Sequence, residues 1–172
     1  MISYLQQLEI LAFFSGYPLV YAVVAFLRTT AKSGSSIKNS AFILLPFSYT
    51  IVGILYLGLQ LKNLFPDYSV RHIASQIQIP FFAGWALLSL AFWIPFLSKK
   101  PVLSLLHSLV FFYLIVKNFY LQLTSTEPDK HVLSNFMKVY SDSILLNTVV
   151  LIVLLIIYRG VKFFRQKASL PH

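Results

Sequence analysis

Two ionisable residues, His107 and Lys117, stand inside one long apolar run of this 172-residue chain. Such groups are costly in hydrocarbon, so each is a candidate for function. A lysine set among Phe111, Phe112, Tyr113, Phe119 and Tyr120 has the surroundings of a retinal-type Schiff base, but the apolar runs supply no counter-ion. Lys117 is also long enough to carry its ammonium to the headgroups along its own stem. His107 is too short for that. Ser104 lies one helical turn before it and Ser108 beside it, which makes a small polar patch. That patch is expected to face neighbouring helices, where an imidazole finds a hydrogen-bond partner.

The other histidines, His72, His131 and His172, share no i, i+4 spacing with His107 or with each other. His72 and His131 fall on the side of the membrane opposite to the one His107 approaches, so a bis-histidine haem lacks a second ligand at matching depth. Zinc has no local cluster of ligands. The absence of cysteine removes disulfides, thiolate metal sites and cysteine nucleophiles together. No nucleophile elbow, Walker loop, dinucleotide fingerprint or HExxH pair occurs. Ser141-Asp142-Ser143 has no histidine near it in sequence. Neither a cofactor, a metal nor a catalytic residue is expected.

A third constellation is polar. Glu9, Lys62, Asn63, Lys117, Asn118, Asp142 and Asn147 all fall toward the same ends of their apolar runs. Pro46, Leu59 and Lys62-Asn63 recur at an offset of 55 residues as Pro101, Leu114 and Lys117-Asn118, which draws attention to the two Lys-Asn pairs. Opposite charges at one depth gain by pairing across helices, so Asp142 is expected near Lys117 or Lys62. The simplest reading is a polar collar at the headgroups. The functional reading is an outward-facing pocket in which Lys62, Asn63, Lys117, Asn118 and Asp142, with His107 deeper, take a small polar or anionic ligand.

The elements that must position these residues follow from composition. The chain is 58% hydrophobic and 11% charged, with a mean hydropathy of +0.75. A soluble domain carries about 25% charged residues, and disorder needs low hydrophobicity, so both are excluded. A spanning helix takes roughly 20 apolar residues. Five stretches qualify: 10–27, 41–61, 79–97, 102–121 and 144–158. None alternates as the strands of a membrane barrel do. The expectation is an all-α, single-domain, five-helix polytopic membrane bundle over 1–172. Pro18, Pro46, Pro80 and Pro95 lie within or at the ends of spans, where Ser, Thr and neighbouring helices satisfy the carbonyls that a proline frees. No basic residue precedes Arg28, so the first stretch reads as a retained helix rather than a signal peptide.

Counting Lys and Arg by side sets the orientation. Arg28, Lys32, Lys38, Lys99, Lys100, Arg159, Lys162, Arg165 and Lys167 share one side. Lys62, Arg71, Lys130 and Lys138 lie on the other, where the acids Glu9, Asp67, Glu127, Asp129 and Asp142 also fall or approach. The N-terminus is therefore expected outside and the C-terminus in the cytoplasm, in a bacterial inner membrane. The net charge of +9 is accounted for by topology, and nucleic acid is not an expected partner.

Between the spans, 29–40 reads as a flexible cytoplasmic connector and 64–78 and 124–142 as outer loops. Val70, Ile73, Ala74 and Ile77 share a helical face, as do Val132, Phe136 and Val139. Each is a short interfacial helix or the start of the next span, and Thr126-Glu127-Pro128-Asp129 suits the N-terminus of the second. The tail Arg159-Gly-Val-Lys162-Phe-Phe-Arg165-Gln-Lys167 interleaves basic and aromatic residues, a pattern that suits anionic headgroups. The functional expectation is a non-enzymatic accessory, structural or sensory membrane component, packed against itself or a membrane-protein partner. A transporter or receptor-like module using the collar is the alternative.

Overall fold

In hydrocarbon a backbone must satisfy its own hydrogen bonds, and a chain with few helix breakers does so by coiling into helices. The computed structural model describes residues 2–30, 36–66, 68–69, 80–125 and 129–168, and contains no strand among them. Two helices come first, α1 (Ile2–Phe14) and α2 (Tyr17–Thr30), separated by a turn at Ser15 and Gly16. The break has a local cause. Pro18 has no N–H to return to the Phe14 carbonyl, and Gly16 makes the turn inexpensive.

Helix α3 (Ser36–Leu64) runs unbroken past Pro46. Thr50 Oγ1 donates to the Pro46 carbonyl at 3.0 Å and Ser48 Oγ to the Leu45 carbonyl at 2.8 Å, so both hydroxyls are satisfied within the helix. The third apolar run is irregular. It is α-helical as α4 (Pro80–Leu87), tightens into a 3-10 segment η1 (Leu88–Trp93), opens at Ile94, where ψ is 129°, and closes with α5 (Pro95–Ser98). Helix α6 (Pro101–Leu123) and helix α7 (Lys130–Ala168) complete the chain. Pro80, Pro95 and Pro101 each stand in the first turn of a helix, where their missing N–H costs nothing.

Among the described residues four helices are long and apolar enough to cross a membrane: Gln6–Thr30, Asn39–Leu64, Pro101–Leu123 and Lys130–Gln166; the segment Pro80–Trp93 is shorter. Several expected boundaries move. The first span begins well before residue 10 and is broken in its middle. The third is not one helix over 79–97. The fifth, expected over 144–158, is the middle of a 39-residue helix. No proline or glycine interrupts that helix before Gly160, so the stretch expected as a loop at 124–142 is helical from Lys130. Val132, Phe136 and Val139 thus belong to the start of the last span rather than to a separate interfacial helix. Asp129 caps it, its Oδ1 accepting from the backbone of His131 at 2.8 Å and Val132 at 3.4 Å, as an N-cap carboxylate should. The connector expected over 29–40 is shorter, since α2 reaches Thr30 and α3 starts at Ser36. Its centre, the possible helical face Val70 to Ile77, and Lys32, Asp67, Arg71, His72, Glu127 and His172 lie outside the described residues.

The core is aromatic. Phe14, Tyr17, Tyr49, Tyr56 and Phe111 are buried almost completely. Phe14 stacks on Phe111 at 4.9 Å and meets Tyr49 and Tyr56 edge-on at 5.6 and 5.5 Å. Close packing and interhelical hydrogen bonds join the helices, the interactions that would hold such apolar helices together in lipid. Small residues permit the approach: Ser15, Gly16, Ser48, Gly53, Ser89, Ser104, Ser108 and Ser143 are all buried. Outward-facing positions of α7 are apolar instead, with Ile152, Val153, Ile156 and Ile157 about half exposed or more.

Helices α3 and α6 run in the same direction. Asn39 and Phe42 line one cavity with Lys99 and Pro101, and farther along Tyr49 meets His107. Basic residues gather at the end where both helices start. Arg28 and Lys99 share that cavity, while Arg159 and Lys162 of α7 line another with Ser40. At the opposite end Gln60 Nε2 donates to Glu9 Oε2 at 3.4 Å, and Tyr4 packs edge-on against Phe136. Burial, and then the nearby Asp129 charge, hold the Tyr4 phenol above its ordinary pKa.

Candidate functional site

His107 is the polar centre of the bundle. It lies on the buried face of α6 with Ser104, Ser108 and Phe111, so the inward orientation expected from the polar patch is observed. Its ring is parallel to that of Trp85 in α4, with centroids 4.9 Å apart and 4° between planes. Tyr49 of α3 and Phe92 of η1 meet it edge-on at 5.6 and 5.7 Å.

Both ring nitrogens are engaged. Nε2 is 2.9 Å from the Trp85 carbonyl oxygen and Nδ1 is 2.7 Å from Tyr49 Oη. A carbonyl can only accept, which puts the proton of a neutral imidazole on Nε2 and leaves Nδ1 to accept from the tyrosine hydroxyl. Trp85 Nε1 donates in return to the His107 carbonyl at 3.2 Å. One stacked pair therefore exchanges two side-chain-to-backbone bonds between α4 and α6, and Tyr49 ties α3 to it. Tyr17 Oη, 4.4 Å ring to ring from Tyr49, is 2.7 Å from Ser104 Oγ, which extends the network to α2.

A second polar contact repairs the broken first span. The Gly16 N–H donates to Ser143 Oγ of α7 at 2.8 Å, and Asn147 Nδ2 donates to the Phe13 carbonyl at 2.8 Å. Two residues one turn apart on α7 thus serve the donor and the acceptor that the break releases. The fit is close: a Cβ built on Gly16 would stand 2.6 Å from the Ser143 carbonyl carbon. A comparable approach joins α3 to η1, where a Cβ on Gly53 would overlap Ser89 Oγ.

Comparison with known families, characterised proteins and solved structures finds no match to this chain.

The residues of the expected collar do not share these surroundings. Lys62 and Asn63 are exposed near the end of α3, Lys117 is exposed on α6, and Asn118 is half-buried. Asp142 is exposed beside the buried Ser143. Among the described residues no ion pair joins Asp142 to Lys62 or Lys117. None of these side chains lines the cavity at Arg28 and Lys99, the two beside α7's end, or the apolar cleft between Phe112 and Tyr140. Asn147, which reads in sequence as part of the collar, is buried in the repair of the helix break.

The partners of His107 lay beyond sequence reasoning. Tyr49 and Trp85 are 58 and 22 residues away from it, and nothing in their spacing relates them. The repair of the first span had a visible half. Ser15, Gly16 and Pro18 announce a break whose bonds must be satisfied from elsewhere, but they do not say by which helix. No cluster of three or more His, Asp or Glu able to hold a metal occurs among the described residues. With both nitrogens bonded, His107 can take a ligand only by giving up one of its helix-to-helix contacts, and a proton on Nδ1 would turn the Tyr49 hydroxyl from donor to acceptor.

Proposed function

We propose that this chain is a non-enzymatic membrane component whose helices serve as a packing scaffold, against a second copy or a membrane-protein partner. One observation carries the reading: the polar groups that would be chemically interesting in the bundle are spent on joining helices. His107 is bonded at both nitrogens, and Ser143 and Asn147 hold the first span's break. A transport or catalytic site keeps such groups facing a cavity that substrate can enter. The open apolar flank of α7, far less packed than the first span, is the surface such a partner would use.

The proposed topology has five crossings, with the N-terminus outside and the C-terminus in the cytoplasm of a bacterial inner membrane. Two helices that run the same way need a return path, and the chain between α3 and α6 passes through the bundle as α4, η1 and α5. Eight α-helical residues rise about 12 Å and six 3-10 residues about 12 Å more. Trp85 is level with His107, and Pro80 lies about 7.5 Å farther toward the α3 terminus.

Affinity capture of the tagged full-length chain in a mild detergent tests the role. A stoichiometric membrane-protein partner, or a second differently tagged copy, is the expected result. A monomeric chain that binds or moves a small solute when reconstituted would overturn it.

A further inference from the structure

We propose that the cavity between α2, the start of α3 and the α5–α6 turn binds the phosphate of an anionic phospholipid headgroup. The cavity is about 540 Å³ and is lined by Arg28, Asn39, Phe42, Ile43, Ser98, Lys99 and Pro101, a volume suited to a small polar ligand. Arg28 is oriented by its neighbour, its Cζ resting 4.4 Å from the centroid of the Phe42 ring. A guanidinium stacked on an aromatic face still presents its donor edge, the geometry that phosphate oxygens match. Lys99 adds a second cation across the cavity, and next to it Lys100 Nζ stands 4.7 Å from the Phe96 ring centroid.

Among the described residues no acid stands beside these charges. The acids of the sequence are Glu9, Asp67, Glu127, Asp129 and Asp142, and none of them belongs to a described segment at this end. An anion from outside the protein must supply the counter-charge, and at the end of a spanning helix the abundant anion is a headgroup. The lining is built for a ligand with both characters: the cations and Asn39 serve a phosphate, while Phe42 and Ile43, the latter 61% exposed, offer an apolar wall to the root of the acyl chains. This inference needs only a membrane-embedded chain and holds for either orientation, so it stands or falls apart from the proposed role.

Native mass spectrometry of the full-length protein, released from nanodiscs containing phosphatidylglycerol or phosphatidylcholine, tests it. Preferential retention of one phosphatidylglycerol is expected. Arg28→Gln and Lys99→Gln should each weaken that retention about five-fold, and roughly twenty-five-fold together, whereas Arg159→Gln with Lys162→Gln should leave it unchanged. Inorganic phosphate is the competing source, and millimolar phosphate that displaces the lipid would identify a free-anion site instead. Should the paired variant fail to fold, a photoactivatable phosphatidylglycerol on the wild-type chain must label peptides containing 39–43 or 98–101. Equal retention of the two lipids, labelling elsewhere, or loss through the α7 pair alone would each overturn the proposal.

Discussion

A histidine in an apolar interior is costly unless its nitrogens are occupied, and here two other aromatic residues occupy them. Because Nδ1 accepts from Tyr49 and Nε2 donates to the Trp85 backbone, His107→Leu should lower stability in detergent by roughly 0.5–2 kcal/mol. Tyr49→Phe should cost less, since it removes one of the two bonds. In the double variant the losses should fall short of their sum, because the Tyr49 hydroxyl has already lost its partner in the single His107 variant. Thermal melting of the four proteins checks this, and strict additivity would mean that the Tyr49 contact carries no energy. The inward placement of His107 was legible in sequence because a short polar side chain flanked by Ser104 and Ser108 has no route to water. The identity of its partners was not, since they depend on which helices become neighbours. Asp142 shows the opposite difficulty. Its charge invites a pairing with lysine, but a residue at the edge of a buried face can turn outward, and the side that a helix presents is decided by its packing.

Between helices, the first span meets the backbone of α7 in a close fit. Gly16→Ala places a methyl against the α7 backbone at Ser143 and Ile144, and neither main chain can yield as a flexible side chain would. The expected loss is about 1–3 kcal/mol. Gly58→Ala is the matched control: its added Cβ meets nothing within 4 Å, and alanine favours the helix, so stability should hold or rise slightly. Equal melting temperatures for the two variants would argue against the close contact. Ser143→Ala should cost about 1–3 kcal/mol by leaving the buried Gly16 N–H without an acceptor. The apolar runs made most of these helices legible. Their ends were less so, because Lys, Ser and Asn propagate a helix once it is capped, and hydropathy alone does not mark where α7 begins. The 3-10 segment was invisible, since its residues are as apolar as those around it and only their packing on Gly53 and His107 distinguishes them.

Over the whole molecule, basic residues of α2, the α5–α6 turn and α7 gather at one end, and Glu9 and Asp129 stand at the other, which Lys62, Lys130 and Lys138 share. Reporter fusions after Ser35 and Lys167 should therefore report the cytoplasm, and fusions near Ser69 and Lys130 the exterior. Both termini on the same side would rule out an odd number of crossings. Replacing Arg159, Lys162 and Arg165 with glutamine should weaken this bias, read as a measurable fraction of C-terminal reporter on the wrong side.

The contact between Gly16 and Ser143 joins residues 127 positions apart in the chain. A ribosome making about 5–20 residues each second emits the broken first span many seconds before the helix that mends it. Throughout that interval the Gly16 N–H and the Phe13 carbonyl have no α7 to answer them. Completion of the bundle then works as a clasp fastened last, and a chain that stops after Leu123 carries an open one that quality-control proteases can recognise.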